Sequence, residues 1–294
     1  MDMDLRGVHP AIITPFNKDK SVDEIRLRKN IEFLIENGVS GIVPCGTTGE
    51  SATLSHDEHK KVIEISVDAA SGKVPVIAGT GSNSTSEAVN LTKFAEDVGV
   101  DVAMLITPYY NKPTERGLLK HYKKISRCTD LPIIVYNVPS RTGTNMDANL
   151  ISKISQISNI IGVKEASGDI GQVSRIIEKT SDKFSVISGD DSMTLPITAL
   201  GGMGVISVVG NIVPSMMSDM VSLGLSGDIR KARGLHYKLS PLFRAMFLET
   251  NPIPVKAAAE MMGLCNGILR SPMNTISQEN KNRLKEVMKG LNLI

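Results

Sequence analysis

The chain's most constraining feature is a set of short apolar segments that recur along its first 210 residues. Eight such segments, rich in Val and Ile, lie at 11–13, 41–43, 74–78, 102–106, 133–135, 160–163, 184–187 and 204–208. They hardly alternate with polar residues, which is typical of parallel strands covered on both faces. Amphipathic stretches lie between most of them. The sequence therefore predicts a repeated strand and helix unit.

Several of the intervening stretches have the pattern of a helix. After the first segment, Leu27, Ile31, Leu34 and Ile35 recur at helical spacing, and Gly38 follows where a helix would end. Three helix starts have a capping-box pattern, in which a Ser accepts a hydrogen bond from a free helix N–H and a Glu three residues later reaches back. These are Ser21-x-x-Glu24, Ser55-x-x-Glu58 and Ser84-x-x-Glu87.

Eight alternations of strand and helix favour a closed (β/α)8 TIM barrel, because eight parallel strands close on themselves and leave no edge. An open doubly wound α/β sheet is the alternative. Against it, no Gly-x-Gly-x-x-Gly turn follows the first segment, and the glycines at 201, 202 and 204 precede a strand instead of opening a helix. We expect the barrel to carry the active site.

Beyond residue 212 only helical patterns remain, with apolar faces around 216–223, 232–247, 255–264 and 284–291. We therefore expect a barrel over residues 1–212, followed over 213–294 by the last barrel helix and a small C-terminal helical extension. No Pro/Ser-rich linker separates the two parts, which favours their folding together.

Charge and composition exclude several classes of function. The 33 basic and 31 acidic residues give a net charge of +2 and are scattered, which argues against a nucleic-acid partner. No apolar run is long enough to span a bilayer, so no membrane partner is expected. The N-terminus has no export pattern, and Cys45, Cys128 and Cys265 form no Cys-x-x-Cys pair. We expect free thiols and a cytoplasmic protein.

The working residues of a barrel follow the C-terminal ends of its strands. Here those positions carry a concentration of hydroxyl, amine and carboxylate groups. They are Thr14, Thr47, Thr48, Glu50, Thr80, Thr107, Tyr109, Tyr110, Tyr136, Asn137, Lys164, Glu165, Asp190 and Ser207. A catalytic site at this end of the barrel is therefore predicted.

Lys164 is the central candidate because it ends the apolar segment 160–163. Burial disfavours an ammonium, and a neutral lysine amine attacks a ketone to form a Schiff base. The alternative is a solvated lysine at the rim, paired with Glu165 or another carboxylate.

Three hydroxyls, those of Thr47, Tyr110 and Tyr136, can relay the protons that Schiff-base chemistry requires. Taken singly, Thr47 also suits a plain turn and Tyr136 a core aromatic. The glycines flanking Thr47 and Thr48 allow backbone N–H groups to converge on a carboxylate. Arg141, in a loop bounded by Pro139 and Gly143, can hold a second carboxylate through its planar guanidinium, or else form a surface salt bridge.

Metal chemistry is poorly supported. Of five histidines only His56 and His59 lie close together in sequence, in the first turn of an expected helix. A zinc site there is conceivable, but a solvated helix start is the commoner arrangement. We expect neither a metal nor a cofactor.

Several motifs resemble those of the dihydrodipicolinate synthase family, within the superfamily of lysine-dependent pyruvate aldolases that includes N-acetylneuraminate lyase. They lie at 46–51 (GTTGES), 136–143 (YNVPSRTG), 162–169 (GVKEASGD), 188–191 (SGDD), 204–207 (GVIS) and 251–256 (NPIPVK), in the family's order and over nearly the whole chain. The resemblance implies a (β/α)8 lyase without a redox cofactor. Its expected reaction condenses pyruvate with L-aspartate 4-semialdehyde to give 4-hydroxytetrahydrodipicolinate, on the diaminopimelate route to lysine.

The resemblance also assigns roles. It implies that Lys164 forms the Schiff base, that Tyr136 is the proton donor and acceptor, and that Thr47 and Tyr110 complete the relay, Tyr110 reaching into a neighbouring subunit's site. Thr48, Ile206 and Gly189 would bind pyruvate, and Arg141 the semialdehyde carboxylate. A homo-oligomer follows, with a tetramer as a dimer of dimers expected.

Feedback-inhibited members of the family bind L-lysine between subunits. The residue types that they use are present here, which predicts L-lysine as an effector. The corresponding positions are Ser51, Ala52, His56, His59, Asn83, Glu87 and Tyr109.

Other functions compete with this interpretation. Another class I pyruvate aldolase, such as N-acetylneuraminate lyase or a 2-keto-3-deoxy sugar-acid aldolase, would share the lysine and the tyrosine, but Arg141 and the paired tyrosines favour the synthase. A non-catalytic barrel would be expected to lose the lysine or a relay hydroxyl, and a metal-dependent aldolase would need histidines at strand ends.

Overall fold

The structure, a computed structural model, describes residues 3–294 and contains one curled parallel sheet surrounded by helices. Along the sheet the strands lie in the order β1-β7-β6-β5-β4-β3-β2. The strands are β1 Gly7–Pro10, β2 Ile77–Gly79, β3 Val102–Ile106, β4 Ile133–Asn137, β5 Ile160–Glu165, β6 Ser185–Ser188 and β7 Gly204–Ser207. Apart from the junction of β1 and β7, neighbours in the sheet are also neighbours in sequence, as a barrel requires.

The segment 41–43 lies in the gap between β1 and β2. Val43 N–H donates to Pro10 O at 2.8 Å, and Ile12 N–H donates to Val43 O at 3.0 Å. On its other side Ile77 N–H donates to Ile42 O at 2.9 Å. The segment therefore takes the eighth position and closes the ring, through bridges too short to count as a full strand.

The first strand lies four residues earlier than predicted, at Gly7–Pro10 instead of 11–13. Val8 and Pro10 pair with Val205 and Ser207 of β7. The apolar pattern missed this strand because His9, a polar residue, is fully buried within it, with Nε2 3.0 Å from Leu5 O. The other segments lie within a few residues of their predicted bounds.

Twelve helices in the described residues cover the outside of the sheet and form the C-terminal part. They are α1 Glu24–Glu36, α2 His56–Ala70, α3 Thr85–Asp97, α4 Glu115–Ser126, α5 Pro139–Thr142, α6 Ala148–Ile154, α7 Ile170–Lys179, α8 Thr194–Ala199, α9 Pro214–Leu225, α10 Ile229–Ala245, α11 Ile253–Met261 and α12 Gln278–Gly290. None of the helices described is both long and apolar enough to span a membrane.

One of the three predicted capping boxes is confirmed. The Ser55 side chain caps Glu58 N–H, and the Glu58 side chain accepts from Ser55 N–H. The Ser21 prediction is wrong, because Asp23 instead caps α1.

The Ser84 box is also wrong. Ser84 precedes α3 but makes no capping bond, since its hydroxyl pairs with Ser86 and the Glu87 carboxylate accepts from Ser82.

The C-terminal helices share an apolar core with the barrel. Val205 of β7, Leu239 of α10, Val255 of α11 and Leu284 of α12 all belong to one buried cluster. Burial of apolar side chains from both parts in one cluster couples their folding. The division of the chain near residue 212 stays a prediction.

Candidate active site

Lys164 lies near the C-terminal end of β5 and is 6% exposed. It pairs in register with Tyr136 of β4, and its Nζ lies 4.1 Å from the centre of the Tyr136 ring. Within residues 3–294 Lys164 forms no ion pair. Pairing with Glu165 is wrong, because successive residues of a strand face opposite sides of a sheet.

Glu165 belongs to a separate polar network that holds the loop after β4. It accepts hydrogen bonds from Asn137 Nδ2 at 3.0 Å and from Ser167 N–H at 2.8 Å. Asn137 in turn accepts from Met146 N–H at 3.0 Å. Burial raises the pKa of the Glu165 carboxyl. This network supports the strand ends that carry Tyr136 and Lys164.

Burial lowers the pKa of Lys164 to about 7. The negative charge of Asp191 opposes this shift, and the positive charge of Arg141 adds to it. A substantial fraction of the side chain is therefore a neutral amine near pH 7, which is the form that attacks a carbonyl carbon.

Tyr136 is 6% exposed, and burial raises the pKa of its phenol to about 12. The charge of Arg141 and the nearby Thr47 hydroxyl oppose that shift. The phenol is therefore protonated at neutral pH. Thr47 and Tyr136 line one cavity, and the Tyr136 ring lies against the Lys164 amine. The proton relay through these hydroxyls stays a prediction.

Asn251 connects two of the predicted binding residues. Its Nδ2 donates to Thr48 Oγ1 at 3.0 Å, and its backbone oxygen accepts from Arg141 Nη2 at 3.2 Å. Asn251 and Thr48 are buried, whereas Arg141 is exposed. The sequence did not single out Asn251 as a site residue because it follows the helical region and no strand. Its place in the 251–256 motif was the available signal.

Asp191 is a second residue that sequence reasoning missed. It is buried two positions beyond Gly189 and accepts from Ser207 Oγ at 2.5 Å and from the N–H groups of Val208 and Val209 at 3.0 Å. Burial raises the pKa of its carboxyl to about 6, against the effect of these hydrogen bonds. The paired aspartates after β6 were the available signal.

Two predicted pyruvate residues lie at β6 and β7, the two strands that follow β5 in the sheet order. Gly189 follows β6, and a methyl group on its Cα would lie 3.1 Å from Lys164 Cε and 2.8 Å from the Ala166 methyl group. A side chain there would crowd the lysine. Ile206 of β7 is 1% exposed.

One cavity of about 400 Å³ joins the predicted catalytic and effector residues. Thr47, Tyr136 and Arg141 line it together with six of the seven predicted effector positions. These six are Ser51, Ala52, His56, His59, Glu87 and Tyr109. The seventh, Asn83, lies beside the cavity and donates to Tyr109 O at 3.2 Å.

Tyr110 is not brought into this cavity. Its side chain is 90% exposed, and its φ of 72° lies in the left-handed region that non-glycine residues rarely adopt. The hydroxyl therefore points into solvent in the isolated chain and completes no relay with Thr47 and Tyr136 there.

The two histidines at the start of α2 do not resemble a zinc site. His56 is exposed, whereas His59 is buried with its Nε2 2.7 Å from Gly79 O. Burial lowers the pKa of His59. In the part of the chain that the structure describes, no three His, Cys, Asp or Glu side chains are grouped to hold a metal.

Comparison with known proteins identifies the family of this chain. The model of the dihydrodipicolinate synthetase family matches residues 4–291. The chain belongs to this family. A 4-hydroxy-tetrahydrodipicolinate synthase from Methanothrix thermoacetophila is 58% identical over 284 residues, which is 96% of each chain.

Solved structures of dihydrodipicolinate synthases confirm the barrel. One crystal structure at 57% identity superposes with a TM-score of 0.96 over 99% of this chain and 100% of its own. The Acinetobacter baumannii enzyme, complexed with pyruvate, is 42% identical with a TM-score of 0.97 over 99% and 100% of the two chains. The Cyanidioschyzon merolae enzyme, with lysine bound, is 38% identical with a TM-score of 0.96 over 98% and 99%.

Proposed function

We propose that this protein is a lyase that condenses pyruvate with L-aspartate 4-semialdehyde to give 4-hydroxy-2,3,4,5-tetrahydrodipicolinate, on the diaminopimelate route to lysine. The observation that carries the proposal is the buried Lys164 amine, whose pKa lies near 7 and which lies against the Tyr136 ring. Its near relatives at 58% identity bear the name of this synthase.

In the first half of the reaction, neutral Lys164 Nζ attacks C2 of pyruvate to form a carbinolamine. The Tyr136 hydroxyl donates a proton to the departing oxygen, which leaves as water, and an iminium remains. Loss of a proton from C3 then gives the enamine. Thr47, which lines the same cavity as Tyr136, would return the phenol's proton through the relay.

In the second half, C3 of the enamine attacks the aldehyde carbon, and the resulting alkoxide takes up a proton from the relay. The amino group of the former semialdehyde attacks the iminium carbon, which closes the ring and releases Lys164 as a free amine. Every step is a proton transfer or makes and breaks C–C, C–N or C–O bonds, with no net oxidation or reduction. The reaction therefore requires no redox cofactor.

Substrate binding is assigned to residues around the lysine. Thr48, Ile206 and Gly189 would hold pyruvate. Thr48 lies in the turn at 46–49, Gly189 lies close to the Lys164 side chain, and Ile206 belongs to the same buried cluster as Tyr136. Arg141 would hold the semialdehyde carboxylate, because its guanidinium lines the cavity and pairs with no carboxylate in the described residues.

A coupled assay tests the acceptor. With pyruvate and semialdehyde the enzyme should form product, whereas pyruvate with N-acetylmannosamine or glyceraldehyde should give none. Turnover with either sugar aldehyde, and none with semialdehyde, would instead assign the chain to another pyruvate aldolase of the superfamily.

L-lysine is proposed as an effector that binds in the outer part of the cavity. Six of the seven residues expected to bind it line that cavity, and the Cyanidioschyzon merolae relative binds lysine. Glu87 supplies a carboxylate for an ammonium group. Millimolar L-lysine should lower the initial rate, with D-lysine as the control, and Glu87→Ala should weaken this inhibition. An unchanged rate would refute the assignment.

Tyr110 is proposed to act in the site of a neighbouring subunit, in a homotetramer built as a dimer of dimers. Its 90% exposure in the isolated chain leaves the hydroxyl available to a second copy. Mixed Lys164→Ala and Tyr110→Phe subunits test this. If the tyrosine is exchanged between subunits, a mixed dimer regains one site with both groups and activity rises above that of either variant. No gain on mixing would contradict it. The cytoplasmic location stays a prediction.

A further inference from the structure

The turn that carries Thr47 and Thr48 is followed by a buried ion pair. The Glu50 carboxylate pairs with Lys256 Nζ of α11, and the two side chains are 2% and 0% exposed. Lys256 Nζ also donates to Ile268 O at 2.8 Å and lies 4.1 Å from the centre of the Phe16 ring. The ammonium is therefore enclosed by protein groups on several sides.

The second oxygen of Glu50 is held by the same C-terminal region. Glu50 Oε2 accepts from Arg270 N–H at 3.1 Å. The Arg270 side chain donates to both oxygens of Glu58, at 2.7 and 2.5 Å, and to Thr53 O at 2.9 Å. Residues from 251 to 270 thus hold the chain from Thr48 to Glu58 at several points.

The backbone at Glu50 needs such support. Its φ of 54° lies in the left-handed region, which costs free energy for a residue with a Cβ and persists only where the surroundings impose it. Two residues earlier, Thr48 is held by Asn251. Glu50 also lines the cavity with Thr47. A displaced Glu50 would move the hydroxyls of the turn.

Stability alone accounts poorly for this pair. Removing two charges from water costs about as much as their attraction returns, and well-packed apolar residues often replace a buried pair without loss. A buried pair that fixes one backbone geometry beside a substrate has a second use, because misplacing a binding group by a fraction of an ångström weakens the bound state.

We propose that Glu50 and Lys256 are a positioning pair for pyruvate binding, which holds the Thr47–Thr48 backbone in the geometry that receives the pyruvate carboxylate. The helical extension is then a working part of the active site. This inference rests on the proposed function of the chain. The two charges are paired with each other, so both residues act on pyruvate binding through the turn.

Lys256→Met tests the pair, since methionine keeps the length of the side chain and removes the charge. At a temperature well below unfolding, KM for pyruvate should rise about tenfold while kcat changes much less. Two controls separate positioning from stability. Lys281→Met makes the same change at a surface pair with Glu260, and Leu284→Ala destabilises α12 from a buried position.

Both controls should leave KM for pyruvate at the wild-type value, and Leu284→Ala should lower Tm. If Lys256→Met lowers Tm in the same way but leaves KM for pyruvate unchanged, the pair is structural only and the inference is wrong. An equal rise of KM in Leu284→Ala would overturn it as well, because loosening the extension anywhere would then suffice.

Glu50→Gln tests the positioning role of the pair if the Lys256→Met protein does not fold. Glutamine keeps the shape and can still accept from Arg270 N–H, but it leaves Lys256 without a counter-charge. The same rise in KM for pyruvate is expected, and a wild-type KM would overturn the inference. Borohydride reduces the imine of pyruvate and so traps pyruvate on the lysine. Trapping on the wild-type protein tests the proposed function separately from the positioning pair. If no pyruvate is trapped on the wild-type protein, the proposed function is refuted. If pyruvate is trapped but KM for pyruvate is unaltered in the variants, only the positioning role of Glu50 and Lys256 is refuted.

Discussion

The lowered pKa of Lys164 makes a quantitative prediction about pH. An ordinary lysine amine has a pKa of 10.5, whereas burial brings that of Lys164 to about 7. At pH 7 about half of the Lys164 side chains are then neutral, against about one in three thousand for an ordinary lysine. The reactive fraction is raised on the order of a thousandfold. The rate of imine formation with pyruvate should therefore rise with pH and level off above a midpoint near 7.

Two neighbouring charges should move this midpoint in opposite directions. The Asp191 carboxylate stabilises the ammonium form and the Arg141 guanidinium destabilises it. Asp191→Asn should therefore move the midpoint to lower pH and Arg141→Gln to higher pH. Asparagine keeps the size of the side chain and a hydrogen-bond acceptor for the N–H groups of Val208 and Val209.

Quenched-flow mixing with pyruvate at pH 5 to 9 measures the rate of imine formation. Borohydride is added at set times, and the amount of reduced imine on the protein is determined for each time. Lys164→Ala supplies the background. A midpoint near 10 in the wild-type protein would refute the role of burial. Midpoints that move the same way in both variants would refute the electrostatic reasoning.

Three further results are expected. Lys164→Met should raise the free energy of unfolding by roughly 1 to 4 kcal/mol at neutral pH, because the cost of burying the ammonium is removed. The pKa of Lys164 is lower in the folded protein than in the unfolded chain, so the gain in stability is full below pH 7 and disappears as the pH rises toward 10.5. Denaturant melts of both proteins measure the gain at each pH, and a gain that does not depend on pH would contradict this. Tyr110→Phe should slow turnover with an unchanged Tm, since the side chain is 90% exposed, and a large drop in Tm would make its role structural. Arg141→Ala should keep trapping of pyruvate and raise KM for the semialdehyde, and equal loss of both activities would rule out its assigned role.

Apolar periodicity predicts the fold because each strand is buried on both faces and each helix on one. The barrel followed from eight non-alternating segments, and the helices beyond residue 212 from their spacing. The bounds of β1 did not follow, because a buried histidine interrupts the apolar pattern there. Capping patterns were a weaker guide, since a Ser and a Glu at the right spacing found other partners at Ser21 and Ser84.

The candidate site was predicted as far as it lies at strand ends. Lys164 and Tyr136 lie at the ends of neighbouring strands and contact each other, and Thr47 lines a cavity with Tyr136. Their catalytic roles stay predictions. Asn251 and the Glu50–Lys256 pair depend on contacts between segments some 200 residues apart, which no local pattern reveals. Tyr110 follows a strand end as well, but its side chain is 90% exposed, because the contact that we propose for it lies on a second copy of the chain.

The most direct test of the central claim is the mass of the intact protein after treatment with pyruvate and borohydride, followed by peptide mapping. One adduct per chain is predicted, with the mass of pyruvic acid less one oxygen atom, on the peptide that contains Lys164. An unchanged mass, or an adduct on a different lysine while Lys164 stays free, would contradict it.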